Sequence, residues 1–237
     1  MIFKMMHKKL IGFLTLSLIW AFYAMPLRSQ DLGMSFSFFF PRNGYFSVPV
    51  SPFSIRGLGV HPTNFFSIES GFSLYRMSGL NVIDIPFETK EPLMGPMFSI
   101  FIPLEAVLEA HAGNVVFRAK GGGFGFYNFI NHINYGNLDR AIADFYQWDI
   151  ANADLDYENR IGFGYMYGGE VIFYVTRQFG INIELNYLAG GSDVNFQGTA
   201  TGANSNGMES IEINYPDARI DYTGWEITFG IIFTNNR

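Results

Sequence analysis

The 237-residue chain contains no cysteine. That excludes a disulfide framework, a thiolate metal site and a cysteine nucleophile, as well as anchoring through a lipidated cysteine. Charge is scarce as well, at 15% of residues, against about a quarter in ordinary soluble domains. Beyond Ala24 there is no run of 18 apolar residues, so no later segment reads as a membrane-spanning helix. Basic residues are in shortest supply. Four of the 15 (Lys4, Lys8, Lys9, Arg28) and none of the 21 acids fall in residues 1–30, which leaves 11 basic against 21 acidic in residues 31–237. A remainder 10 charges negative is no match for nucleic acid, whose phosphates need a basic face.

The start of the chain has its own pattern. Three lysines within Met1–Lys9 precede an apolar stretch, Leu10–Ala24 (LIGFLTLSLIWAFYA), and a short exit, MPLRSQ. A basic start, an apolar core and a polar exit read as a secretory signal peptide. An anchor helix would need about 20 apolar residues. Ala24, Ser29 and Gln30 are all admissible ends. The expected plan is a leader over residues 1–30 and one domain over residues 31–237.

That domain is rich in aromatics, which make up 18% of the chain, and its apolar residues recur with period two. Trp225, Ile227, Phe229, Ile231 and Phe233 share one face, against Glu226, Thr228, Gly230 and Ile232. Ile161, Phe163, Tyr165, Tyr167, Val171, Phe173 and Val175 oppose Gly162, Gly164, Met166, Gly168, Glu170, Ile172 and Tyr174. This is strand alternation. Eight strands are expected, at 32–40, 53–60, 64–75, 96–110, 114–128, 161–175, 180–189 and 218–234. Pro41, Pro49 and Pro52 disturb the first two, because proline cannot donate to a ladder. The links at 61–63, 111–113 and 176–179 are short, and those at 41–52, 76–95, 129–160 and 190–217 are long. Alternating short and long links with an even strand count fit a barrel with tight periplasmic turns and larger outer loops. An apolar, aromatic chain without a spanning helix can cross a bilayer only as a closed barrel. The expected fold is therefore all-β: an eight-stranded antiparallel up-and-down transmembrane β-barrel of the outer membrane, in contact with its lipid and lipopolysaccharide.

The face opposite the apolar one carries Arg56, Glu69, Glu105, Glu109, Arg118, Lys120, Glu170, Glu184 and Glu226. Eight strands leave a lumen just wide enough for side chains to fill. These nine charges are expected to form a network closing it. Six glutamates against three cations point to water or a shifted carboxylate among them. Gly121-Gly122-Gly123-Phe124-Gly125 has no helix after it, so it is not read as a phosphate loop. Glycines here relieve crowding or let aromatics pack beside them. Girdle aromatics are expected at Phe65, Phe66, Phe173, Tyr174 and Phe233 on the inner side and at Tyr127, Phe163, Tyr165 and Tyr222 on the outer side. The loop at 129–160 carries Asp139, Asp144, Asp149, Asp154, Asp156 and Glu158. It reads as a solvated acidic loop rather than a calcium site, with a short amphipathic helix over Leu138–Trp148 resting on the rim. The Gly-, Ser-, Asn- and Thr-rich loop at 190–217 reads as mobile.

With the eight strands, the link parity and the aromatic strand faces in place, the sequence from residue 31 onward resembles the small outer-membrane barrel families. Examples are the transmembrane domain of OmpA and its adhesin-like relatives, with Bacteroidota members nearest in character. The resemblance rests on architecture. Lipid A deacylases of this shape carry His-x-Ser on one strand, whereas the histidines here stand in His61-Pro62-Thr63, His111-Ala112-Gly113 and His132-Ile133-Asn134. No catalytic set, metal or cofactor is expected. The resemblance implies a non-enzymatic barrel with a structural, adhesive or complex-subunit role carried by its outer loops. A small pore or conduit for ions or apolar molecules is the alternative, with a lipid-modifying enzyme behind it.

Overall fold

The computed structural model describes residues 32–46, 49–89 and 91–234; the expected signal peptide lies outside them. Eight strands build the membrane unit: β1 Leu32–Pro41, β2 Pro49–Val60, β3 Phe66–Met77, β4 Met97–Ala112, β5 Val115–Phe129, β6 Gly162–Tyr174, β7 Phe179–Asp193 and β8 Gly224–Phe233. Each pairs antiparallel with its neighbour in sequence, and β8 returns to β1, from Leu32↔Phe233 to Pro41↔Gly224. The barrel is closed, so within the ring no edge is left to present unsatisfied backbone groups to lipid.

The links alternate as the sequence implies. Residues 61–65, 113–114 and 175–178 join strands tightly at the end where β1 begins and β8 finishes. The tightest, Gly113-Asn114, has Gly113 at φ +62°, which a two-residue hairpin requires and a side chain resists. Among the described residues, β1 pairs with β2 from Gly33↔Arg56 to Ser35↔Ser54, and β6 and β7 pair continuously from Phe163↔Gly191 to Tyr174↔Gly180. The β2–β3 register slips twice, the second time between Ile55 and Leu58, where Gly57 takes φ +83° to form a bulge.

Alternation sorts the side chains. Phe36, Leu104, Phe117, Phe163, Tyr165, Ile183, Leu185 and Phe229 point outward and form an apolar belt. Tyr167, Tyr187, Trp225 and Phe40 stand side by side across β6, β7, β8 and β1. Their rings touch at 5.5 Å (Tyr167–Tyr187) and 5.1 Å (Tyr187–Trp225). A ring of such aromatics is what a membrane interface collects. Of the expected girdle residues, Phe65, Tyr127, Phe163, Tyr165, Phe173 and Phe233 face outward. Tyr174 and Tyr222 do not, and both are buried. Tyr174 alternates with Phe173 and so must face inward. Tyr222 follows a break in the expected strand 218–234: Arg219–Asp221 pairs separately with β7 and with Val82–Ile83, and the chain then turns into the mouth before β8.

The long links do not stay loose. Helix α1, Tyr135–Tyr146, starts at the cap Asn134, whose side chain accepts from Asn137 N, and stops at Gln147 in the left-handed region. Its Leu138, Ala141 and Ile142 face inward and are buried, as the apolar spacing implies. The link at 190–217, read as mobile, is instead ordered. It folds into a hairpin, Phe196–Asn204 with Gly207–Tyr215, and Phe196–Asn204 also pairs with Ile150–Asp156 from the acidic loop. The physical reason lies in the small residues. Gly198, Ala200 and Gly202 occupy one strand face, with Ala200 fully buried and Gly202 directly under the Trp148 ring. Glycine and alanine, which suggest a loop by composition, here admit close packing.

Candidate functional site

The barrel interior has two storeys. The lower one holds all nine charges expected there, and they converge as three linked groups. Arg56 reaches Glu226 at 2.9 Å and Glu105 at 4.0 Å. Lys120 bridges Glu170 at 2.9 Å and Glu184 at 3.0 Å. Arg118 serves Glu109 at 2.6 Å, with Glu69 and Glu170 each at 3.6 Å. Amides and hydroxyls fill in between them. Asn186 donates to both Glu184 (2.8 Å) and Glu226 (2.9 Å), Asn182 donates to Glu170 (2.6 Å), and Ser67 donates to Glu69 (2.6 Å). One cavity beside Ser35, Arg56, Glu69 and Lys120 holds about 10 Å³, room for one water. Charges withdrawn from bulk water are tolerable only when paired and hydrogen-bonded in this way.

The upper storey is aromatic. Tyr222 sits at its centre, with ring centroids 4.3 Å from Phe126, 5.0 Å from Phe39 and 6.3 Å from Phe101. Phe101 in turn meets Phe124 at 4.8 Å. Arg56 marks the boundary, with its guanidinium 5.5 Å from the Phe101 ring. Glycines make this layer possible. Gly162 and Gly164 stand opposite Phe126 and Phe124 in the β5–β6 ladder, and a Cβ at either would collide with the facing ring. The expectation that glycines let aromatics pack beside them holds at these two positions.

Above the aromatic storey lies a cap continuous with it. One apolar cluster runs from Tyr75 and Phe101 through Tyr222 to Leu138, Trp148 and Phe196. Backbone bonds tie the pieces together: Asn134 N donates to Leu93 O (2.8 Å), Glu158 N to Val194 O (2.8 Å) and Asp221 N to Asn81 O (2.9 Å). Among the acids of the 129–160 loop, Asp139 accepts from Ala153 N at 2.8 Å and so joins helix to sheet, while Asp149, Asp154 and Asp156 face solvent. Burial, and then Tyr146 beside it, push the Tyr215 hydroxyl up to about 12.

Among the described residues, two clefts stand out on the cap, and the sequence did not single them out. The larger, about 590 Å³, lies between residues 86–91 and α1 and is lined by Phe87, Glu88, Glu91, Arg140, Asp144 and Phe145 among others. The smaller, about 450 Å³, lies on the other side of the same segment, near Arg42, Asn81 and Asp84. Phe87 lines both, within 5.7 Å of Phe145 and 6.2 Å of Tyr215. Arg140 bonds Glu91 and Asn137, each at 2.6 Å. One signal for this segment was present. Val82, Ile83, Ile85, Phe87, Leu93 and Met94 form an unusually apolar link, and most of them are buried.

A closed eight-stranded barrel with an outward apolar belt and an aromatic girdle defines a small integral protein of the outer membrane. No family model matches the chain, and no curated protein matches it in sequence. Among solved structures, its fold is similar to that of the outer membrane protein OprG from Pseudomonas aeruginosa. The TM-score is 0.50 at 8% identity, over 90% of this chain and 99% of that one. A major outer membrane protein from Thermus thermophilus aligns with TM-score 0.46 and 9% identity, over 87% of this chain and 99% of that one. Ail, the attachment invasion locus protein of Yersinia pestis, aligns with TM-score 0.40 and 10% identity, over 89% of this chain and all of that one. At such identities the likeness is one of fold.

Proposed function

We propose that the protein is a non-enzymatic, non-conducting outer-membrane barrel that acts through its extracellular cap, binding a surface ligand or partner in the clefts on either side of residues 84–91. One observation carries this reading: the cap shares a single apolar core with the aromatic storey that fills the barrel mouth. A cap built on that core is a fixed shape, and rigid elements hold recognition groups in place better than loose loops do. Cleft-lining Phe87 and Phe145 beside Glu91, Arg140 and Asn137 combine aromatic faces with polar groups that fix orientation. Against a conduit stands the ion-paired layer of Arg56, Arg118 and Lys120 with their carboxylates across the lumen. The test uses proteoliposomes carrying the full barrel, offered to an array of glycans and surface proteins. Capture that is lost in the Phe87→Ala/Phe145→Ala variant, whose barrel still shows its heat-dependent gel shift, supports the reading. Reproducible single-channel openings by the same preparation, or capture unchanged in the variant, overturn it.

A further inference from the structure

At the periplasmic mouth, three side chains from three places converge. His61 opens the turn after β2, Glu69 lies on β3 and Glu109 on β4. Each offers one metal-ligating atom, and these atoms lie within 4.8 Å of one another. The Nε2 of His61 is buried and makes no hydrogen bond among the described residues. A buried imidazole nitrogen without a partner carries a desolvation cost.

Charge points the same way. The lumen holds six carboxylates against three cations. In this corner, Arg118 is divided among Glu69, Glu109 and Glu170. Lys120 relieves Glu170 and Glu184 but forms no ion pair with Glu109. His111 Nε2 stands 3.6 Å from the second oxygen of Glu109, and Ser67 holds one oxygen of Glu69. The corner therefore offers an imidazole lone pair and two carboxylates in a region short of positive charge.

We propose that this mouth binds one divalent transition-metal ion of the zinc class, through His61 Nε2 and one carboxylate oxygen from each of Glu69 and Glu109. Imidazole with carboxylates suits zinc and its neighbours rather than calcium or magnesium, which take oxygen alone. Bonds of about 2.0–2.2 Å to such an ion require the three ligand atoms to draw together from their present spacing. His61 stands outside the strand ladder, in a turn, where that movement disturbs no strand pairing. Two added positive charges would offset most of the carboxylate surplus. The ion would also tie the β2–β3 turn to β4.

The experiment titrates zinc chloride into the full barrel in detergent after chelator dialysis, with heat of binding, bound metal per barrel and the thermal unfolding midpoint as readouts. The expected result is one zinc per barrel and a raised midpoint. His61→Ala should weaken binding by about tenfold or more and abolish the midpoint shift, while His132→Ala, at the exposed outer histidine, should retain both. If His61→Ala does not fold, Glu109→Gln provides the same comparison. Absence of binding by the wild-type barrel at micromolar zinc overturns the proposal, as does equal binding by the site variants.

Discussion

Arg118 is the residue on which the charged storey depends most. It touches Glu69, Glu109 and Glu170 at 2.6–3.6 Å and is 5% exposed. Removing one partner of a buried ion pair strands the others, at a cost of about 3–5 kcal/mol. Arg118→Ala should therefore lower barrel stability by about that amount, read as a lower urea midpoint in lipid vesicles. Lys120 can still serve Glu170 but pairs with neither Glu69 nor Glu109, so a loss below about 1 kcal/mol would show that water solvates this corner. The presence of these charges in the lumen was legible from period two alone, because each alternates with an outward apolar residue. Their partners were not. Which carboxylate meets which cation depends on strand register and tilt, and Glu226 reaches Arg56 across β1, which separates their strands.

At the scale of the element, the cap shows where composition misleads. The strand Phe196–Asn204 hides its inward face because three of its positions there, Gly198, Ala200 and Gly202, are too small to register as apolar periodicity. What makes it a strand is its pair of neighbours, Ile150–Asp156 and Gly207–Tyr215, and this tertiary pairing overrides local propensity. By contrast α1 was legible, because Leu138, Ala141 and Ile142 recur at helical spacing. Two outcomes follow for the cap. Gly202→Val would drive its Cβ into the Trp148 indole, which lies against this glycine. In a Trp225→Phe background its tryptophan emission should shift to the red as Trp148 leaves its buried site, while the barrel keeps its gel shift. The second outcome concerns pH. The Tyr215 hydroxyl is raised to about 12 in the folded cap, against about 10 in an unfolded chain. Its contribution to stability is then full below pH 10 and falls as pH rises toward 12, because the unfolded form ionises first. Difference absorbance between wild type and Tyr215→Phe should assign a late-titrating phenol to this position. A phenol ionising near pH 10 would mean that the cap opens before it titrates.

At the scale of the whole molecule, closure does not depend on the cap. Phe101, Phe124 and Phe126 belong to β4 and β5, and the charges to β2–β8, so both storeys are carried by the wall itself. Only Tyr222 and the segments above it come from the links. Replacing residues 196–215 with a short linker should strip away most of the outer sheet and leave planar bilayers silent, as they should be for the intact protein. Replacing Phe101, Phe124 and Phe126 with alanine should widen the outer funnel yet still give no steps, because Arg56, Lys120 and Arg118 with their carboxylates span the lumen below. Neutralising that lower layer alone should also leave the bilayer silent, with the rings still in place above. Openings are expected only when both layers are removed. Steps after either single change would mean that one storey alone forms the barrier, and steps from the unaltered protein would make it a pore.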